Sequence, residues 1–169
     1  NKSEAEFLLN WLVRNRQATA NPIIINLLEK VEVMLEDDIL DQEESEELAD
    51  ILRLISGEPS ELGELTKTTG LPLDDPLPEL TFPGQQFLFT GTCAFGTRKQ
   101  CQQAIESLGG LNAKSVTKTL NYLVLGTYVT DSWAHENFGR KIEKAMQYRD
   151  SGVPLAIISE EHWANAANL

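Results

Sequence analysis

Residues 86–126 read QFLFTGTCAFGTRKQCQQAIESLGGLNAKSVTKTLNYLVLG, and the alternation of patterns within them decides the fold. Gln86 to Thr90 is a short β-prone run closed by Gly91, and Thr97 to Leu108 carries a helical pattern stopped by the Gly109-Gly110 pair. After Lys114-Ser115-Val116, the run Tyr122-Leu123-Val124-Leu125 reads as a fully buried strand, which Gly126 closes. The alternation then repeats. Phe138 to Arg149 has helical periodicity through Ile142, Ala145 and Met146, Leu155-Ala156-Ile157-Ile158 is another buried strand, and a last helical turn carries Trp163. Strands alternating with helices at this spacing predict an α/β domain of order β-α-β-β-α-β-α, with helices on the faces of a parallel sheet.

Upstream the period is helical. In SEAEFLLNWLVRNR (3–16), Ser3 and Glu6 have the spacing of a capping box, and Phe7, Leu8, Trp11 and Leu12 share one face. Pro22 interrupts the pattern, after which Ile24, Leu27, Leu28, Val31 and Leu35 form a second stripe. QEESEELADILRLISG predicts a third helix, ended by Gly57 and Pro59. Residues 1–57 therefore read as a small acidic all-α region of about three helices. Residues 58–81, dense in Pro and Gly, read as an extended linker that Leu71, Leu73, Leu77 and Leu80 pin to a neighbouring surface. The acidic stretch 37–44, DDILDQEE, lacks the Asp spacing of a calcium loop and the Gly that such a loop needs at its sixth position. It reads instead as a turn followed by an acidic first helical turn, which the helix dipole favours.

The chain has 169 residues, with 41% hydrophobic and 24% charged, which fits a globular fold. It begins at Asn1 without a Met, as an excised or trimmed fragment would, in which case a catalytic domain or a signal lies upstream. No apolar run approaches the roughly 18 residues of a membrane helix and no signal peptide opens the sequence, so a soluble, cytoplasmic protein is expected. Cys93 and Cys101 have no Cys or His at zinc spacing, and His135 and His162 stand apart from any nucleophile. No metal, no cofactor and no enzymatic activity are expected. The net charge of −12 is unevenly spread: residues 1–82 hold 6 Lys+Arg against 19 Asp+Glu, whereas residues 83–169 hold 8 against 7. Such a chain is a poor general binder of nucleic acid, and any contact with phosphate must be local.

Phe89-Thr90-Gly91, Arg98 opening a helix, Leu108-Gly109-Gly110, Val116-Thr117-Lys118-Thr119, Tyr122-Leu123-Val124, Gly139 to Ala145 and the final Trp163 together resemble a BRCT domain in order and spacing. The closest flavour is the single BRCT domain of bacterial NAD-dependent DNA ligases and of the clamp-loader large subunit. The resemblance covers residues 82–169 and implies a four-stranded parallel sheet flanked by helices. Two features depart from it: the longer connection Gly126 to Phe138, which contains Trp133 and His135, and a lengthened second main helix at Tyr148 to Ser151. A ligase's K-x-D-G motif is absent from the chain, which is therefore not itself a ligase.

The resemblance implies a phosphate pocket made of Thr90, the backbone N–H of Gly91, and Lys141. The chemistry is sound in itself. A hydroxyl and a free N–H donate to phosphate oxygens, and an ammonium adds a charge-assisted contact. Arg98, Lys99, Arg140 and Lys144 are further candidates for phosphate or DNA contacts. The bland alternative is a Thr at a strand end and solvated helix cations. Gly109 and Gly110 are expected to end a helix, and Trp163 to pack structurally against the second main helix and the loop before the last strand. The function expected is a non-catalytic module of DNA replication or repair. It would recognise phosphate on a DNA end or on a phosphorylated protein, in company with other replication and repair proteins. The alternative is a protein-protein scaffold without a phosphate role.

Overall fold

The structure is a computed structural model that describes Phe7, Asn10, Arg14 and residues 22–36, 41–56, 71–128 and 137–169. The chain divides into two compact units, Asn1–Glu58 and Pro59–Leu169.

In the first unit, α1 (Pro22–Leu35) and α2 (Gln42–Ser56) pack against one another. The buried apolar residues are Leu27, Leu28, Val31 and Met34 of α1 and Leu48 and Ile51 of α2; Leu27, Leu28 and Val31 belong to the predicted stripe, Met34 does not, and Ile24 and Leu35 are only half-buried. Asp41 and Glu44 cap α2 reciprocally. The Glu44 N–H donates to Asp41 Oδ1 at 2.8 Å, and the Asp41 N–H donates to Glu44 Oε2 at 3.1 Å. The acidic run thus opens a helix. The capping box expected at Ser3 lies outside the described residues, as do Asp37 to Leu40.

The second unit is a parallel sheet of β1 (Gln86–Thr90), β2 (Leu111–Asn112), β3 (Tyr122–Leu125) and β4 (Ala156–Ser159), in the order β2-β1-β3-β4. Its helices are α3 (Arg98–Ser107), α4 (Asn137–Asp150) and α5 (Glu160–Ala167). This is the predicted fold. The register sets Phe87 beside Tyr122, Phe89 beside Val124 and Val124 beside Ile158, so one face of the sheet is a single apolar row. Cys101 and Ile105 of α3 and Trp163 of α5 cover that row. The alternate residues Leu88, Leu123, Leu125 and Ile157 make the other face, covered by Ile142 and Ala145 of α4. Burial on both faces explains why β3 carries no polar residue.

The two crossovers explain this division. Parallel connections are right-handed, so β1-α3-β2, moving outward one way, and β3-α4-β4, moving outward the other way, lay their helices on opposite faces. Strand order therefore reverses between β1 and β3, and α3 and α4 both begin at the carboxyl ends of those strands.

The segment predicted as a linker is, over its described residues 71–81, a strap lying against the domain. Leu71 and Leu73 pack on the α4 side, Leu80 packs on the other side, and Leu77 is exposed. The Asp74 N–H donates to the Ile157 carbonyl at 2.9 Å, and the Asp74 carboxylate accepts the Ile157 N–H in return. Arg149 Nη1 donates to Asp74 Oδ1 at 2.9 Å and to the Pro72 carbonyl at 3.0 Å, and His162 Nε2 lies 2.8 Å from the Pro78 carbonyl. Of the four leucines expected to pin this stretch, Leu71, Leu73 and Leu80 do so and Leu77 does not; the polar half of the attachment left no sequence pattern.

Trp163 departs from expectation. It is fully buried, but its ring meets Phe89 edge-on at 4.9 Å and Phe95 at 5.3 Å, on the face opposite the second main helix. The reason is the alternation within β4. Ile157 points to α4 and Ile158 to α3, and the chain turns into α5 on the Ile158 side. Cys93 and Cys101 are both buried and form no disulfide.

Candidate phosphate site at the strand ends

The carboxyl ends of β1 and β3 are where an open α/β sheet offers a crevice, because the two following connections diverge to opposite faces. Thr90 ends β1 there. It follows Leu88 on the α4 side, stands opposite Leu125 in register, and is 1% exposed. Its Oγ1 has no hydrogen-bond partner among the described residues. Gly91 comes next at φ +79°, a backbone conformation that favours glycine.

Lys141 is the fifth residue of α4, the helix on the Leu88 face of the sheet. The next residue, Ile142, packs in the cluster that holds Leu88 and Leu125. Arg140 precedes it and is exposed. Lys144 lies about 4.5 Å further along the axis at the usual helical rise, away from the strand ends, and its Nζ sits 5.7 Å from the Tyr148 ring centre.

Arg98 and Lys99 open α3 at the same end of the sheet but on the opposite face. Arg98 is 8% exposed and Lys99 is on the surface. Thr90 and Gly91 thus close β1 on the face that α4 covers, Arg140, Lys141 and Lys144 lie along that helix, and Arg98 and Lys99 open α3 on the opposite face. Thr97 holds the α3 start in place through a capping box. The Gln100 N–H donates to Thr97 Oγ1 at 3.3 Å, and Gln100 Oε1 accepts the Thr97 N–H at 2.8 Å. A Cβ at Gly96 would lie 2.5 Å from Gln100 Oε1, so that box needs a glycine beside it.

The floor of the crevice is backbone. The Gly126 N–H donates to the Thr90 carbonyl at 2.9 Å, and the Tyr128 N–H donates to the Thr92 carbonyl at 3.0 Å. Gly126 is packed so closely that a Cβ would lie 2.5 Å from the Thr92 carbonyl oxygen. Burial, and then the nearby Glu160 carboxylate, hold the Tyr128 phenol above its ordinary value.

Glu160 is the residue that sequence reasoning missed. It is 3% exposed and accepts four hydrogen bonds, from the N–H groups of Ala94, Phe95 and Thr127 and from the Thr127 hydroxyl. In the sequence it is one of two acids in a first helical turn, and nothing separates it from solvent-facing Glu161. Trp133 and His135 lie outside the described residues. Gly109, at φ +79°, ends α3, and a Cβ at Gly110 would lie 2.6 Å from Ile105 Cγ2. Both glycines therefore serve a turn at the far end of the sheet. No cluster of three or more metal-ligating side chains occurs among the described residues. None of the described helices is long and apolar enough to cross a membrane.

Residues 77–155 match the family profile described as the BRCA1 C Terminus (BRCT) domain. The chain is similar to a DNA ligase of Fusobacterium nucleatum, 40% identical over 83 residues that make up 48% of this chain and 10% of that protein. It is also similar to DNA ligases of Coprothermobacter proteolyticus, 35% identical over 101 residues (60% of this chain, 13% of that protein), and of Syntrophus aciditrophicus, 37% identical over 84 residues (50% and 10%). The chain thus spans about a tenth of the length of these relatives. With a four-stranded parallel sheet, helices on both faces and this match, the C-terminal unit is a BRCT domain, similar in sequence to part of several bacterial DNA ligases.

Proposed function

We propose that this BRCT domain is a non-catalytic binding module of DNA replication or repair that takes hold of a phosphate on a DNA end through Thr90, Gly91 and Lys141. The observation that carries the reading is the buried Thr90 hydroxyl. It has no hydrogen-bond partner among the described residues, and it sits at the end of β1 on the face covered by α4, the helix that carries Lys141. A buried hydroxyl without a partner costs about 1–3 kcal/mol, a cost that a phosphate oxygen would offset.

DNA is favoured over a phosphorylated protein because the relatives that match this stretch are named DNA ligases. The charge distribution supports a local contact, since residues 83–169 are nearly neutral and the acid lies upstream. Lys141→Met tests the reading. Loss of a charge-assisted contact worth about 1.5–3 kcal/mol lowers affinity for the phosphorylated ligand roughly tenfold to a hundredfold. A scaffold without a phosphate role keeps its partner unchanged.

A further inference from the structure

Four donors converge on Glu160: the Ala94 N–H at 2.8 Å and the Phe95 N–H at 2.6 Å from the loop after β1, and the Thr127 N–H at 2.8 Å and hydroxyl at 2.6 Å from the loop after β3. Ser159 caps α5, so Glu160 is the first helical residue. A first-turn acid that served only the helix dipole would gain most of its benefit while exposed. This one is instead buried and bonded to two segments distant in sequence.

Those segments carry the candidate site. Thr127 lies between Gly126, whose N–H holds the Thr90 carbonyl, and Tyr128, whose N–H holds the Thr92 carbonyl. Ala94 and Phe95 follow Thr90 and Gly91 by only a few residues, and Phe95, 43% exposed, forms the outer wall of that loop against Trp163. The carboxylate therefore ties together both loops that hold Thr90 and Gly91. It also fills a ring of donors that would otherwise attract an anion away from them, and its own charge is satisfied by those donors.

We infer that Glu160 is a positioning residue of the phosphate site, fixing the loops after β1 and β3 so that the Thr90 hydroxyl and the Gly91 N–H face one anion together. This rests on the phosphate reading above. In Glu160→Gln the side chain keeps its size, but the amide NH2 faces N–H donors, so one loop is released.

The test uses the whole chain and two DNA duplexes that differ only in a 5′ phosphate or 5′ hydroxyl at a recessed end, at a temperature well below the melting point of each variant. The readout is the ratio of the two affinities. Glu160→Gln is expected to lower the ratio about tenfold, the weight of one hydrogen bond to a charged group, while affinity for the hydroxyl duplex stays unchanged. Thr127→Val, which deletes a single contact and spares the fold, lowers the ratio in the same direction by a smaller factor. A purely structural Glu160 lowers the melting temperature and leaves the ratio unchanged, which overturns the inference while the phosphate reading stands. A ratio near one in the unaltered chain overturns both.

Discussion

Asp74 and Ile157 pair twice, the Asp74 N–H with the Ile157 carbonyl and the Asp74 carboxylate with the Ile157 N–H. β4 is an edge strand of the sheet, and an uncovered edge offers its N–H and C=O groups to other chains. The strap supplies those partners from within the domain, and Arg149 holds the same carboxylate in place at 2.9 Å.

Asp74→Ala is accordingly expected to destabilise the domain by about 1–3 kcal/mol, because the Ile157 N–H and the Arg149 guanidinium both lose an acceptor. Denaturant unfolding measures it. Arg149→Ala alone should cost less, and the double variant should cost less than the sum of the two single ones, since both act on one carboxylate. Additive losses would contradict the shared role.

Trp163→Ala should leave a cavity worth about 3–5 kcal/mol, and Trp163→Phe considerably less. Since the ring touches Phe89 and Phe95 rather than α4, the loss should spread to the loop after β1. Amide exchange of Ala94 and Phe95 should quicken more than that of α4. Faster exchange in α4 alone would restore the packing expected from sequence.

Much of this was legible in the sequence because burial leaves a pattern. The unbroken apolar runs at Tyr122 to Leu125 and Leu155 to Ile158 revealed a sheet covered on both faces, and the Gly109-Gly110 pair marked a helix end. Trp163 was misplaced because a single residue's parity in β4 decides which face the last helix joins, and composition does not record parity. Thr90, Gly91 and Lys141 follow from family resemblance, and the structure adds that α4, which carries Lys141, covers the Leu88 face of the sheet. Glu160 and Asp74 were invisible for a different reason. Each acts by hydrogen bonds to backbone N–H groups, which every residue but proline carries, so no partner residue type reveals them.

Gly126→Ala and Gly110→Ala should differ. A Cβ at Gly126 would lie 2.5 Å from the Thr92 carbonyl oxygen, which is anchored by Tyr128, whereas at Gly110 the nearest atom is a methyl of Ile105 at 2.6 Å. A backbone atom yields less readily than a side-chain tip. Gly126→Ala should therefore cost about 1–3 kcal/mol and Gly110→Ala less, with thermal melts as the measurement. Equal losses would contradict the tight floor drawn here between β1 and β3.

The Tyr128 phenol, held above its ordinary value of 10.0 by burial and then by Glu160, is neutral when protonated, so the folded chain binds that proton more tightly than the unfolded chain does. Its contribution to stability is fully present below pH 10 and is lost as pH rises through the higher folded value. In ultraviolet titration the Tyr128 contribution should come late, disappear in Tyr128→Phe and come earlier in Glu160→Gln. A tyrosine at position 128 that ionises like a free one would contradict this placement.

Whether this domain reads a DNA-end phosphate is decided by binding the chain to a fluorescent duplex with a recessed 5′ phosphate and to the same duplex with a 5′ hydroxyl, at low and at physiological salt. Tighter binding to the phosphorylated end is expected, a preference lost in Thr90→Ala and in Lys141→Met. Equal binding to both ends, or binding to neither, would contradict it and leave a protein partner as the better reading of this domain.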